Sequence, residues 1–208
     1  MSGAAAPRAW QRMLSGRRLD LIDPSPLDVE IGDIAHGLAR VARWNGQTKG
    51  PEIFSVAQHS LLVEALFAAC EQPPSNRERL AALLHDAPEY VIGDMISPFK
   101  AAIGGEYKLV EARLKRAIFV RFGLPPEPAG DLERRIKAAD RASAYLEATA
   151  LAGFSIKEAR KLFGEPDVPI GDFAHLLEPM RPADVEARFL ARFAELDAAP
   201  APWAGSRL

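Results

Sequence analysis

The feature that most constrains this chain is a histidine and an aspartate side by side at the end of an apolar run. Residues 80–84 contain only leucine and alanine and lead directly into His85 and Asp86. Burying an imidazole and a carboxylate without partners is costly, because apolar surroundings do not replace their hydration. A divalent metal removes that cost, since it takes a histidine nitrogen and an aspartate oxygen as ligands. The doublet therefore predicts a buried metal site.

Two residues cannot complete a coordination sphere, so further ligands are expected on other apolar helix faces. His59 falls in a stripe with Val56 and Val63, and Asp140 falls on one line with Ile136. These spacings of three and four residues indicate the inner faces of two helices. A lone histidine on such a face is more often a core residue than a ligand. A lone buried aspartate is rarer, because a buried carboxylate needs partners.

The order His59, then His85-Asp86, then Asp140 gives the pattern H…HD…D, which resembles the HD-domain metal-dependent phosphohydrolases. The resemblance covers roughly residues 33–147. Within that group the chain is similar to the bacterial HD-type 5'-nucleotidases, in which a glutamate follows the doublet's aspartate by three positions and an aspartate follows it by eight. Glu89 and Asp94 stand at those positions here. The resemblance implies one divalent metal ion, which could be Co²⁺, Mn²⁺, Mg²⁺, Zn²⁺, Fe²⁺ or Ni²⁺.

The resemblance also assigns catalytic roles to the two acidic residues after the doublet. Glu89 is either a solvated residue after Pro88 or, as the resemblance implies, the carboxylate that takes a proton from the attacking water. Asp94 is either a turn residue after Gly93 or an active-site carboxylate. In the second case, acting as general acid and contacting a substrate hydroxyl both stay open.

Four further residues are candidates for substrate binding. The nucleotidase branch carries an Arg-Trp pair in this region, and Arg43-Trp44 matches it, with the arginine on phosphate and the tryptophan beside the sugar. A guanidinium suits phosphate because it binds two oxygens at once. The alternative is a helix end with an exposed arginine and a packed tryptophan. Lys49 is expected to add to the phosphate site, and His36 either reaches the same cleft or packs within its helix.

The expected function is phosphomonoester hydrolysis of (deoxy)nucleoside 5'-monophosphates. The alternatives are hydrolysis of another phosphoester, such as a cyclic nucleotide or the alarmone, and a non-catalytic module that binds metal or nucleotide. The formal net charge of −2 gives no reason to expect a nucleic acid polymer or a membrane as partner. Cys70 is the only cysteine, and no apolar run approaches a membrane span, so a reducing cytoplasm is expected. Monomer and homodimer both remain open.

The fold expected is all-α, an HD-domain helical bundle with a short N-terminal β-hairpin that includes residues 19–24. Capping boxes at Ser55, Ser75 and Ser155 begin three helices. Helices are predicted over about residues 33–44, 55–70, 75–86, 106–122, 131–151, 155–163 and 182–196, with a further start at residues 97–98. Residues 89–96 are predicted to be a loop over the metal. Residues 1–208 are expected to form one domain with loose ends at residues 1–16 and 198–208. His175 is expected to be a structural residue, and Arg141 is expected to form a surface ion pair.

Overall fold

The computed structural model describes residues 9–69, 73–96, 99, 105–166 and 170–198. Within these ranges the chain forms eight α-helices, three short 3-10 segments and one two-stranded antiparallel hairpin. This confirms the all-α fold with a short hairpin. The helices are α1 (Ile31–Leu38), α2 (Val56–Ala68), α3 (Asn76–Leu83), α4 (Glu89–Ile92), α5 (Glu106–Arg121), α6 (Gly130–Ala150), α7 (Ile156–Phe163) and α8 (Pro182–Asp197). None of the described helices is both long enough and apolar enough to cross a membrane.

The N-terminal hairpin pairs β1 (Trp10–Arg12) with β2 (Arg18–Asp20), and β1 lies inside the segment predicted to be loose. The first helix was predicted to begin near residue 33, but Glu30 occupies its N-cap position and Asp33 lies in its first turn. The buried Asp33 carboxylate accepts hydrogen bonds from the Ser15 backbone N–H at 2.9 Å and the Ser15 hydroxyl at 2.5 Å. Asp33 therefore ties the hairpin turn to α1.

The first helix is shorter than predicted, because α1 ends at Leu38 rather than near residue 44. Ala42 is extended and forms an antiparallel bridge with Ser55 in the segment that enters α2: Val56 N–H donates to the Val41 carbonyl, and Arg43 N–H donates to the Phe54 carbonyl. These bonds remove the segment from helical geometry. It then turns through a 3-10 segment, Arg43–Gly46.

Two predicted helix starts are full capping boxes in the structure, and one is half formed. Ser75 and Ser155 each bond reciprocally with the glutamate three residues later. Ser55 accepts from the Gln58 N–H at 3.3 Å, but the Gln58 side chain bonds the backbone of residues 178 and 180 instead. The Ser55 hydroxyl alone therefore caps α2, while Gln58 anchors the chain that leads into α8.

Helix α2 lies at the centre of the bundle, packed against α3, α6 and α8, and α7 covers the outer side of α6. The observed bounds of α5, α6, α7 and α8 agree with the predicted helices within two residues. The loop predicted over residues 89–96 is wrong in part, because residues 89–92 form α4 with Pro88 at its N-cap. A proline is tolerated there, since the first helical N–H groups have no intrahelical acceptor. The predicted helical start at residues 97–98 lies outside the described residues.

A close backbone approach fixes α4 against α1. A Cβ built on Gly37 would lie 2.9 Å from both the Cβ and the carbonyl oxygen of Tyr90. Real side chains do not tolerate such a contact, so glycine at this position lets α4 pack directly on α1. Because α4 begins with Glu89, this packing sets the position of that carboxylate.

Candidate metal centre and cavity

The four residues predicted as metal ligands come together from three parts of the chain. His59 lies on α2, His85 and Asp86 lie in the turn after α3, and Asp140 lies on α6. One ligand atom each from His59, His85 and Asp140 fall within 4.8 Å of one another, so these three residues can hold a metal ion.

The carboxylates of Asp86 and Asp140 approach the imidazoles at distances that suit shared coordination. The His59 Nε2 atom lies 3.4 Å from Asp86 Oδ2 and 3.4 Å from Asp140 Oδ1. The His85 Nε2 atom lies 3.2 Å from Asp86 Oδ2. Ligand atoms held about 2.0–2.2 Å from a common ion are separated by roughly 3.0–3.5 Å. Asp86 therefore lies beside the group formed by His59, His85 and Asp140.

Hydrogen bonds orient both imidazoles so that their Nε2 atoms face the centre of the cluster. The His59 Nδ1–H donates to Glu147 Oε1 at 2.6 Å, and the His85 Nδ1–H donates to the Ala82 carbonyl at 2.8 Å. Each Nε2 atom is buried and makes no hydrogen bond within the described part of the chain. Two buried imidazole nitrogens without a hydrogen bond are costly. A cation between them would satisfy both.

The charges around the cluster shift the pKa values of its members strongly. Burial and the Arg43 charge act to lower the pKa of His59, but the carboxylates of Glu147, Asp140 and Asp86 outweigh them and raise it well above its usual value. Burial acts to raise the pKa of Asp140, but His59 more than offsets this and holds that pKa well below its usual value. The Asp140 carboxylate is therefore ionised at neutral pH, and the raised pKa of His59 favours a protonated imidazole whose proton a bound metal ion would displace.

Glu147 is a site residue whose role sequence reasoning missed. Its side chain is fully buried on α6. One oxygen accepts from His59 at 2.6 Å and from the Ser143 hydroxyl at 2.6 Å, and the other accepts from Trp44 Nε1 at 2.8 Å and Arg43 Nε at 3.3 Å. The sequence feature that could have identified Glu147 is its position on the inner line of α6, one helical turn after Ser143 and two turns after Asp140. Glu147 joins the histidine cluster to the Arg43-Trp44 pair.

Arg43 and Trp44 lie beside the cluster, and Trp44 and the following Asn45 adopt a backbone conformation that is rare for non-glycine residues. Trp44 has φ 57° and Asn45 has φ 51°. Such residues cost on the order of 1–3 kcal/mol and persist where surrounding contacts impose them. Here the Trp44 indole is held by Glu147 and by Phe154, whose ring centroid is 5.6 Å away. Arg43 Nη1 bonds Asp94 Oδ2 at 3.0 Å, which brings the predicted catalytic aspartate into the site.

A cavity of about 740 Å³ opens beside the cluster. Glu89 and Asp94 both line it, and Glu89 is 2% exposed, so the solvated alternative for this glutamate is wrong. One wall is aromatic, formed by Trp44, Phe154 and Phe163. The charged side chains among the described lining residues are Arg43, Asp86, Glu89, Asp94, Lys137, Asp140 and Arg141.

Three other sequence assignments differ from the structure. His36 does not line the cavity, and its Nδ1 lies 3.3 Å from Glu186 Oε2 at the contact of α1 with α8. Lys49 also lies outside the cavity lining, and its backbone N–H donates to the Leu151 carbonyl at 3.0 Å. Arg141 was expected in a surface ion pair; it is exposed and lines the cavity, and it forms no ion pair with the described residues. His175 is exposed, away from the cluster.

The chain is highly similar in sequence to a known protein of uncharacterized function. No protein-family model matches the chain. An uncharacterized protein of Rhodobacter capsulatus is 60% identical over 186 residues, which covers 89% of this chain and 94% of that protein.

Proposed function

This chain belongs to the same family as the uncharacterized Rhodobacter capsulatus protein, and we propose that it is a metal-dependent phosphohydrolase of the HD-domain type. Its expected substrates are (deoxy)nucleoside 5'-monophosphates. The observation that carries the proposal is the pair of buried Nε2 atoms that face two carboxylates at the edge of a cavity. A purely structural histidine pair in a core would not need an open cavity or ionised neighbours.

The donor set fits a divalent ion. His59, His85, Asp86 and Asp140 would hold it, offering two imidazole nitrogens and two carboxylates, a set compatible with several first-row metals. The Glu147 hydrogen bond to His59 is the supporting contact that metal-binding histidines usually have. When bound, the ion would supply an acidified water and neutralise charge on the phosphoryl group.

The residues around the cluster then have separate roles. Glu89 lines the cavity from the first turn of α4 and would take the proton of the attacking water. Asp94 would assist the departing alkoxide or contact a substrate hydroxyl, and its ion pair with Arg43 fixes its position. Arg43 lines the cavity and would contact phosphoryl oxygens.

The shape of the cavity supports a nucleotide rather than a bare phosphate. At about 740 Å³ it falls in the range of small-molecule sites. Trp44, Phe154 and Phe163 give it an apolar aromatic wall that could pack against a sugar or a base. Trp44 is the residue that the resemblance places beside the sugar.

The test is phosphate release from a panel of nucleotides by metal-free protein reloaded with Co²⁺, Mn²⁺ or Mg²⁺. We expect inorganic phosphate from one or more nucleoside monophosphates and none in the presence of excess chelator. Pyrophosphate from the alarmone, or a monoester from a cyclic nucleotide, would identify a different phosphoester as substrate. Tight nucleotide binding with no turnover in the presence of any of these metals would contradict the proposal that the protein is an enzyme. It would indicate a binding module.

A further inference from the structure

Two cations on α6, Lys137 and Arg141, face the cavity on either side of Asp140. They are one helical turn apart, so their side chains project from the same face of the helix. Lys137 Nζ lies 2.5 Å from Asp140 Oδ2, and the Lys137 side chain is 62% exposed. Arg141 is exposed and forms no ion pair with the acidic side chains of the described ranges.

The third cation of the cavity is already balanced. Arg43 pairs with Asp94 at 3.0 Å and with Glu147 at 3.3 Å, and the Arg43 side chain is only 13% exposed. The carboxylates of Asp94 and Glu147 therefore already neutralise much of the positive charge of Arg43. A doubly charged phosphate that enters the cavity would also meet the carboxylate of Glu89. Lys137 and Arg141 supply the remaining positive charge among the described lining residues.

The contact between Lys137 and Asp140 suits an ammonium that changes partner. Asp140 is one of the residues that can hold a cation. A cation held there would repel the nearby ammonium and weaken its attraction to the carboxylate. Lys137 has a long, flexible and mostly exposed side chain, so it can turn from Asp140 to an anion in the cavity at little cost.

We propose that Lys137 and Arg141 form an oxyanion-binding pair that anchors the phosphate group of the ligand beside the metal cluster. This assignment rests on the proposed function for the identity of the ligand, because a phosphate ester is the anion that the reaction would bring. The pair adds a second phosphate contact, on the side of the cavity formed by α6. Arg141 can offer two parallel N–H groups, whereas Lys137 acts as a point charge.

The experiment measures the dissociation constant of inorganic phosphate from metal-loaded protein by calorimetry. The variants are Lys137→Gln and Arg141→Gln. Arg134→Gln is the matched control, because Arg134 lies on the same helix, 76% exposed, and pairs with Asp131 outside the cavity. Each test variant should bind phosphate about tenfold more weakly or worse, as expected for loss of a charge-assisted hydrogen bond. The control should stay within twofold of the parent protein, and Lys137→Arg should retain most of the affinity.

A second readout separates anion binding from simple support of Asp140. If Lys137 competes with the metal for Asp140, Lys137→Gln should bind the metal as tightly as the parent protein or more tightly. Weaker metal binding in that variant would indicate that Lys137 supports Asp140 structurally. This result would refute the role of Lys137 in anion binding. Two results would refute the proposal that Lys137 and Arg141 bind phosphate. One is a phosphate affinity within twofold of the parent protein in both variants, and the other is no phosphate binding by the parent protein. Because binding is measured directly, an absence of turnover would contradict the proposed function without deciding this assignment.

Discussion

Replacing Glu147 with glutamine changes one oxygen of a fully buried side chain to an NH₂ group and removes its charge. The carboxylate accepts from His59 and Ser143 at one oxygen and from Trp44 and Arg43 at the other. A glutamine has only one oxygen, so one of these two pairs of donors would face an NH₂ group. The Arg43 guanidinium would also lose one of its two carboxylate partners.

Two independent routes give the size of the effect. Burial acts to raise the pKa of Glu147, but Arg43 and His59 outweigh it and lower that pKa from 4.5 to about 2. A shift of that size corresponds to about 3 kcal/mol of stability. Because the folded pKa is the lower one, this stability is present above pH 4.5 and is lost as the pH falls towards 2. Breaking a buried ion pair by removing one partner costs about 3–5 kcal/mol, which agrees with the value obtained from the pKa shift of Glu147.

The assay is thermal and urea unfolding of metal-free protein at neutral pH, followed by titration with Co²⁺. We expect Glu147→Gln to lower the melting temperature by roughly 6–12 °C, from about 2–4 °C per kcal/mol at this chain length. Metal affinity should fall by about 10–100-fold, the usual effect of losing such a supporting contact. Glu133→Gln is the matched control, since Glu133 is exposed on the same helix. A variant within about 0.5 kcal/mol of the parent, with unchanged metal affinity, would refute the reasoning.

Three further substitutions probe the ligands, the base and the packing of α4. Asp140→Ala should abolish metal occupancy and activity while helical content is retained, and full metal content by elemental analysis would exclude Asp140 as a ligand. Glu89→Gln should keep the metal but reduce turnover by about 10²–10⁴ with little change in KM; a rate within twofold would rule out proton transfer by this residue. Gly37→Ala should cost about 1–3 kcal/mol in urea unfolding and slow turnover, because its methyl group would collide with Tyr90 and displace α4. Gly32→Ala, with open space around its Cβ on the same helix, is the control, and equal losses in both would disprove the steric explanation.

The position of the histidine–aspartate cluster was accessible from sequence because helical periodicity is a local property. His59 and Asp140 each fall on an apolar face, and apolar faces meet in the core. Glu147 shares the line of Asp140, yet a position on a helix does not reveal which donors other elements bring to it. Its partners Arg43 and Trp44 come from more than 100 residues earlier in the chain, so only the folded structure identifies its role.

The errors in the fold come from backbone contacts that leave no local pattern. Residues 41–43 leave the helix because they bond with residues 54–56, and the amphipathic spacing gives no sign of that pairing. Residues 89–96 were predicted to form a loop, but Pro88 stands at the N-cap of α4, where its ring geometry suits a helix start, and the close approach of Tyr90 to Gly37 packs this helix on α1. One of the two alternatives for His36 placed it in the cleft beside Arg43, whereas α1 ends at Leu38 and His36 contacts Glu186 of α8.

The most direct measurement is a titration of metal-free protein with Co²⁺ or Mn²⁺, in which bound metal and phosphate released from dAMP and other nucleoside monophosphates are followed in the same samples. A metal-dependent phosphohydrolase with the cluster described here will release phosphate in proportion to occupancy, saturate at one ion per chain, and lose both signals in the Asp140→Ala variant. Stoichiometric metal binding without phosphate release from any nucleotide, or release that does not depend on bound metal, would contradict the assignment.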